Sequence, residues 1–299
     1  MPNNRVESNC PVCKSFKYRV WITPTKPESD PAKLYGAASG IKGAQQIVIC
    51  EECGMKYENP RLADEDILRG YMASEDGDHD SQYEMRVRSF KFALVRNKKF
   101  LSSPSKKILD IGTAGGAFLE AANELGYEAY GLEPSLDLVA RGNSRGLKIF
   151  PGTIERNDLS DERFGLISLW DVIEHLPNPS SSLELARKHL EPGGLLLINF
   201  PNIGTWQSKI AGKKFWWIIS VHLHHFSQGT LNQICKSAGF EHVSSKRYFQ
   251  ILEFGYLLEI ATKLGVPFSA QIQKAIPKFV RNLPLPYYAS QTTSIYRKA

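Results

Sequence analysis

The stretch KKILDIGTAGGAFLEAANELGYEAYGLEPS, from Lys106 to Ser135, decides the fold. It opens with an apolar run, breaks at glycines, resumes with helical periodicity and ends in a second strand-like run. The same alternation continues outward. LKIF (147–150), FGLISLW (164–170) and GLLLINF (194–200) read as strands, with LDLVARGNS (136–144) and SSLELARKHL (181–190) as helices between some of them. Strands alternating with helices predict an α/β fold with a parallel sheet, whose ligands bind beyond the carboxyl ends of the strands.

The loop after the first strand narrows the ligand. A dinucleotide fold would place glycines in G-x-G-x-x-G spacing around a pyrophosphate, but those positions hold Gly112, Ala114 and Ala117. The strand instead ends in Asp110. A carboxylate is unwelcome beside phosphate and favourable beside a ligand with a positive end, such as the ammonium and sulfonium of S-adenosylmethionine. Glu133 closes the next strand 23 residues after Asp110, where a carboxylate can accept hydrogen bonds from both ribose hydroxyls.

Five segments then carry a resemblance: ILDIGTAGGAFL, GLEPS, GTIE, LWDVIEHLPNP and LEPGGLLLINFPN. In order and spacing they resemble the successive motifs of class I S-adenosylmethionine-dependent methyltransferases, over about residues 104–245. The resemblance implies a Rossmann-like sheet of seven strands with the last antiparallel, for which SQTTSIYRKA at the C-terminus is the candidate final strand. It implies that Asp110, Gly112 and Gly116 shape the methionine side of the cofactor site. Glu133 would hold ribose, Thr153 and Ile154 would flank adenine, and Asp171 would lie below the sulfonium. Ala114 departs from the family's usual glycine, so the loop must make room for a methyl group.

Ahead of this domain, four of the five cysteines form two C-x-x-C pairs, Cys10 with Cys13 and Cys50 with Cys53. Two such knuckles offer four thiolates to one tetrahedral Zn²⁺. A disulfide pairing is the rival reading, disfavoured because no apolar signal-peptide core stands at the N-terminus. The expected organisation is a zinc-ribbon module over 1–62, a helical connector over 63–103 broken by a polar stretch at 74–81, and a methyltransferase domain over 104–299 with an insertion at 203–221. The metal would be structural, since so short a module has little core of its own. At 299 residues and 42% hydrophobic, the chain can form one full core beside such a module. The net charge of +6 is spread without a long basic block and names no partner. With no apolar stretch of transmembrane length, a cytoplasmic protein is expected.

Methyl transfer is an in-line displacement, and a base is needed only where the acceptor must lose a proton. VHLHHFSQGTL (221–231) holds His222, His224 and His225. Here the chain also resembles methyltransferases acting on sugars, quinone precursors and other small metabolites, in which a histidine before FS faces the acceptor. His225 is therefore the favoured base or orienting group, with His222 and His224 as alternatives that could instead pack the segment. His175 in DVIEHL is a further candidate at the pocket floor. A metal trio of His222, His224 and His225 lacks acidic company.

The Trp- and Lys-rich insertion reads as a lid over the acceptor, or else as a peripheral membrane contact through 206–219. IPKFVRNLPLPYY (276–288) is expected to complete the pocket wall. The acceptor expected is a small molecule, a sugar, nucleotide-sugar or other metabolite methylated on O or C. Two alternatives are an RNA methyltransferase that docks substrate on the zinc ribbon and a non-catalytic S-adenosylmethionine-binding scaffold. Glu51 and Glu52 on the second knuckle disfavour nucleic acid.

Overall fold

The computed structural model describes residues 5–26, 28, 30–35, 40–72, 82–159, 162–263 and 266–299; the polar break expected at 74–81 lies outside them. The first five strands are short: β1 (Arg5–Val6), β2 (Tyr18–Ile22), β3 (Ile47–Cys50), β4 (Lys56–Glu58) and β5 (Arg61–Leu62). The alternating segment then supplies β6 (Lys107–Ile111), β7 (Glu128–Glu133), β8 (Lys148–Pro151), β9 (Phe164–Trp170) and β10 (Leu190–Pro201). After these come β11 (His224–His225), β12 (Phe240–Arg247), a hairpin of β13 (Gln250–Glu253) and β14 (Pro284–Tyr287), and β15 (Gln291–Lys298).

Seven strands form the central sheet in the order β12-β15-β10-β9-β6-β7-β8. The pairings from β8 to β10 are parallel, and β15 runs antiparallel to both β10 and β12. Every residue of β9 is buried, as expected of a central strand covered on both faces. The alternation of β10 divides its side chains between two cores. Leu195 and Leu197 join Phe90, Phe118 and Trp170 on one face; Leu196 and Ile198 join Phe226 and Leu231 on the other. Strand order reverses between β6 and β9, the switch point where open α/β sheets bind ligands.

The N-terminal strands do not form a body of their own. β2, β3 and β4 make an antiparallel sheet whose fourth strand is β11, with His224 opposite Tyr57 and His225 opposite Lys56. Cys10, Val12, Val48, Cys50, Met55 and Tyr57 share one core with Leu196, Ile198 and Phe226. A module expected to have little core thus borrows one from the large sheet, because its own strands are too short to bury a face by themselves.

Candidate active site

The loop after β6 is shaped by three residues with left-handed backbone: Gly112 (φ 69°), Ala114 (φ 50°) and Gly116 (φ 85°). A Cβ at Gly112 would lie 2.7 Å from Cγ2 of Val172, and one at Gly116 would lie 2.4 Å from Cδ1 of Leu147. Both positions therefore need glycine. Ala114 adopts the same region at a cost of about 1–2 kcal/mol. Its N–H donates to Glu133 Oε2 at 2.9 Å, while Ser135 N–H donates to Oε1 at 3.0 Å. Glu133 therefore ties the glycine loop to the end of β7, and its methyl-bearing neighbour is accommodated.

In front of this loop is a cleft, partly open to solvent, lined by Asp110 and residues 112–115 together with Tyr83, Arg86, Phe90, Phe118, Leu138 and Trp170. Asp110 accepts a hydrogen bond from Ser168 Oγ at 2.6 Å, and burial pushes its carboxyl up to about 7. The aromatic wall is tightly built, with Phe90 and Trp170 ring centroids 4.9 Å apart. Tyr83, Arg86 and Phe90 come from the helix Tyr83–Asn97, which the sequence reading treated only as a connector. Their i, i+3, i+7 spacing was the available signal. Of the expected cofactor-site residues, Asp110 and Gly112 line this cleft and Gly116, Glu133, Thr153, Ile154 and Asp171 do not; Thr153 closes a turn with Arg156, and Ile154 is buried in the core.

At the end of β9, Asp171 adopts φ 56° and its Oδ1 accepts hydrogen bonds from Asn199 Nδ2 (2.8 Å) and Gln291 Nε2 (2.7 Å). Burial pushes this carboxyl up to about 6. The side chain thus links the ends of β9, β10 and β15.

Beyond Asp171 lies a buried cluster that the sequence reading only partly identified. His175 Nδ1 sits 2.8 Å from the carbonyl oxygen of Val221, and His222 Nδ1 sits 2.8 Å from that of Trp217. A carbonyl only accepts, so a His222 bonded to Trp217 carries its hydrogen on Nδ1 and leaves a lone pair on Nε2; His175 Nδ1 lies 2.8 Å from the Tyr71 hydroxyl as well, so its tautomer depends on whether it donates to Val221 or accepts from Tyr71. Glu174 joins them. Both its carboxylate oxygens are buried without a hydrogen-bond partner, and Oε1 is 4.0 Å from His175 Nε2. Burial, then the nearby Asp171, raise the Glu174 carboxyl well above its usual range. Burial lowers His175 to about 4 and His222 well below its usual value.

Ligand atoms of Glu174, His175 and His222 all lie within 4.8 Å of one another, a donor set able to hold a cation. The acidic company missing from the histidine stretch therefore comes from Glu174, next to His175 in sequence. His225 is one ring farther out, 6.4 Å from His222 between centroids, and its buried Nε2 has no partner. His224 points the other way along its strand, with Nε2 donating to the carbonyl of Leu176 at 3.0 Å.

The four cysteines converge as well. Cys10 and Cys53 Sγ are 3.5 Å apart, Cys13 and Cys50 Sγ are 3.4 Å apart, and all four sulfurs lie within 4.8 Å of one another. These separations are far too long for disulfides, near 2.05 Å, and agree with sulfurs spaced around one tetrahedral ion at about 2.3 Å. The residue after each knuckle, Lys14 (φ 64°) and Gly54 (φ 74°), turns left-handed in the same way.

The insertion packs inward. Phe215, Ile218 and Ile219 are buried, and the indole N–H groups of Trp216 and Trp217 both donate to the carbonyl of Ala289. Trp217 stacks on His222 with centroids 5.8 Å apart, so this segment walls the histidine cluster. Trp206 and Ile210 alone among its large apolar residues are exposed. The expected pocket wall at 276–288 is different: residues 277–279 and 281–286 face solvent. Among the described residues, no helix is long and apolar enough to cross a membrane.

The chain is 35% identical over 108 residues to the ubiquinone biosynthesis O-methyltransferase of Glaesserella parasuis, covering 32% of this chain and 46% of that protein. It is 28% identical over 123 residues to the protein of the same name from Proteus mirabilis, covering 39% and 47%. The chain thus spans about half the length of the curated relatives it matches. A solved SAM dependent methyltransferase from Archaeoglobus fulgidus is 21% identical, with a TM-score of 0.47, covering 74% of this chain and 100% of that one. The profile of the family described as "Methyltransferase domain" matches residues 79–245, more than half of the chain. With its glycine loop, paired acids and single reversed strand in the family's order, this chain belongs to that methyltransferase domain family.

Proposed function

We propose that this chain transfers the methyl group of S-adenosylmethionine to an acidic oxygen, such as a phenol or enol, of a small-molecule acceptor. The observation that carries this reading is the buried Glu174–His175–His222 cluster beside Asp171, at the switch-point end of the sheet. When bound, S-adenosylmethionine supplies a methyl carbon activated by its sulfonium. Arg86 and Asp110, both lining the cleft, would pair with the carboxylate and ammonium of its methionine part. Glu133 would accept from ribose, and Leu138 would cover one side of the base. An Nε2 lone pair of His175 or His222 would orient the acceptor hydroxyl and take its proton. Burial holds these imidazoles weakly basic, which favours an acceptor oxygen more acidic than an aliphatic alcohol. The O-methyltransferase names of the curated relatives support transfer to oxygen.

A second reading has its own observation. Three ligand atoms within 4.8 Å, one each from Glu174, His175 and His222, would also hold a divalent cation, which would lower the acceptor's pKa directly. At the other centre, Cys10, Cys13, Cys50 and Cys53 would hold one structural zinc. We retain 1–62, 63–103 and 104–299 as divisions of the sequence, the first docked on the last through β11 and a shared core, with 203–221 as the wall of the acceptor site.

The test is transfer of a labelled methyl group from S-adenosylmethionine by the purified full chain to catechol-type phenols, nucleotide-linked sugars and RNA, with Mg²⁺, Mn²⁺ or EDTA. Phenol labelling supports the reading, and its loss with EDTA selects the cation. Labelling confined to RNA overturns it.

A further inference from the structure

Residues 266–286 carry more apolar surface than the fold buries. Val266, Phe268, Ile272, Phe279, Leu283 and Leu285 are all exposed, Phe268 by 71% and Phe279 by 74%. They sit before, on and after two short helices, Ser269–Ala275 and Lys278–Arg281, and on strand β14. Across this whole stretch Ser269 is the one buried residue. Phe268 even holds a left-handed backbone (φ 63°), a conformation unfavourable for a bulky residue, with its ring in solvent. Monomeric proteins rarely leave so many large apolar side chains of one short segment without a partner.

Charge indicates which partner. From Ile260 to Ala299 the chain has no Asp or Glu, while Lys274, Lys278 and Arg281 stand exposed among the apolar residues; the acids against this stretch are Glu259, which accepts from Gln273 Nε2 at 2.9 Å, and Glu253, opposite Pro284 in the hairpin. A second copy docking by a two-fold would set these cations against themselves. A bilayer with anionic headgroups satisfies both features, since the aromatic and aliphatic side chains can enter the acyl boundary while the cations meet phosphates.

We propose that residues 266–286 form a docking surface for an anionic lipid bilayer. The element leaves the sheet between β12 and β15 and returns beside the acceptor site. Gln250 Nε2 donates to Gln291 Oε1 at 2.9 Å, Gln291 in turn donates to Asp171, and Ala289 receives the two indoles of the insertion. Docking therefore holds the acceptor end of the sheet at the membrane surface, where an apolar acceptor would be concentrated. That consequence rests on the function proposed above, whereas the docking itself is read without turnover, so either can fail alone.

The experiment is flotation of the full chain with vesicles of phosphatidylcholine alone or mixed with phosphatidylglycerol, at low and high salt. The expected result is partition onto the anionic vesicles only, weakened by salt. Phe268→Ser/Phe279→Ser and Lys274→Glu/Lys278→Glu should each reduce it by about tenfold or more, with thermal melting unchanged because these side chains are exposed. Absence of partition onto either vesicle overturns the proposal. So does partition that both double substitutions leave intact, or a concentration-dependent dimer that Phe268→Ser/Phe279→Ser abolishes, which would assign the surface to a second copy.

Discussion

Lys56 and His225 face each other across one antiparallel ladder, with Tyr57 and His224 the adjacent pair. Lys56 belongs to the cysteine-knuckle sheet and His225 to the stretch beside the proposed acceptor site. The backbone of that stretch is thus held by the knuckles, and a disturbance at the cysteines has a direct path to the histidines.

This ladder leads to the first prediction. Cys50→Ser should remove zinc from a protein that otherwise carries one per chain. Amide hydrogen exchange should then rise together at 56–58 and 223–226, because the two strands share a ladder and a core. Protein without zinc when purified without chelator would contradict the metal assignment. Loosening confined to 47–58 would contradict the coupling.

Glu174 gives the second. A buried carboxylate with both oxygens unpartnered is costly to the fold. Glu174→Gln should therefore leave melting temperature unchanged or raised while lowering turnover by about 10²- to 10⁴-fold, with S-adenosylmethionine affinity near normal. A clear loss of melting temperature with full turnover would make Glu174 a structural residue.

The histidines can be ranked in the same assay. His175→Ala and His222→Ala should each cost more turnover than His225→Ala, since a ring nitrogen of each clusters with Glu174 and His225 lies outside that cluster. If His225→Ala alone carries a loss of about 10²-fold or more and changes the pH profile, the base is His225.

Sequence pattern revealed some of these features and hid others for physical reasons. The strand Glu128–Glu133 and the helix Leu136–Ser144 have the bounds read from their apolar spacing, because that spacing is a local consequence of burial. Asp110 and Glu133 stand at the ends of the two strands for the same reason. The pairing of His224 and His225 with residues 56–57 involves two residues across a separation of more than 160, and no local pattern records it. Glu174 was quoted with His175, but that its oxygens lack partners is a property of packing alone. Tyr83, Arg86 and Phe90 read as an ordinary amphipathic face until the helix is seen to close the cleft.

A pH dependence follows from Asp110. Burial raises its pKa to about 7 from the usual value near 3.9, so the folded, ligand-free protein holds a proton there that the unfolded chain has lost. By itself this group subtracts from stability as pH rises between those values. A cation bound beside it favours the charged form, so binding S-adenosylmethionine should release a proton. Affinity should therefore rise with pH up to about 7 and then level off, and Asp110→Asn should flatten the profile. Calorimetry at pH near 6.5 in buffers of different ionisation enthalpy reads the proton directly. Proton uptake, or no exchange, contradicts the placement.

The most direct test of the whole account is titration of S-adenosylmethionine into the purified chain, repeated with Glu133→Ala. The account predicts one site per chain, and an affinity in the variant weaker by about 1.5–3 kcal/mol, or roughly 10- to 150-fold. Absence of binding to the folded wild-type chain, or equal affinity in a folded variant, would contradict the assignment of the glycine loop and Glu133 as the cofactor site.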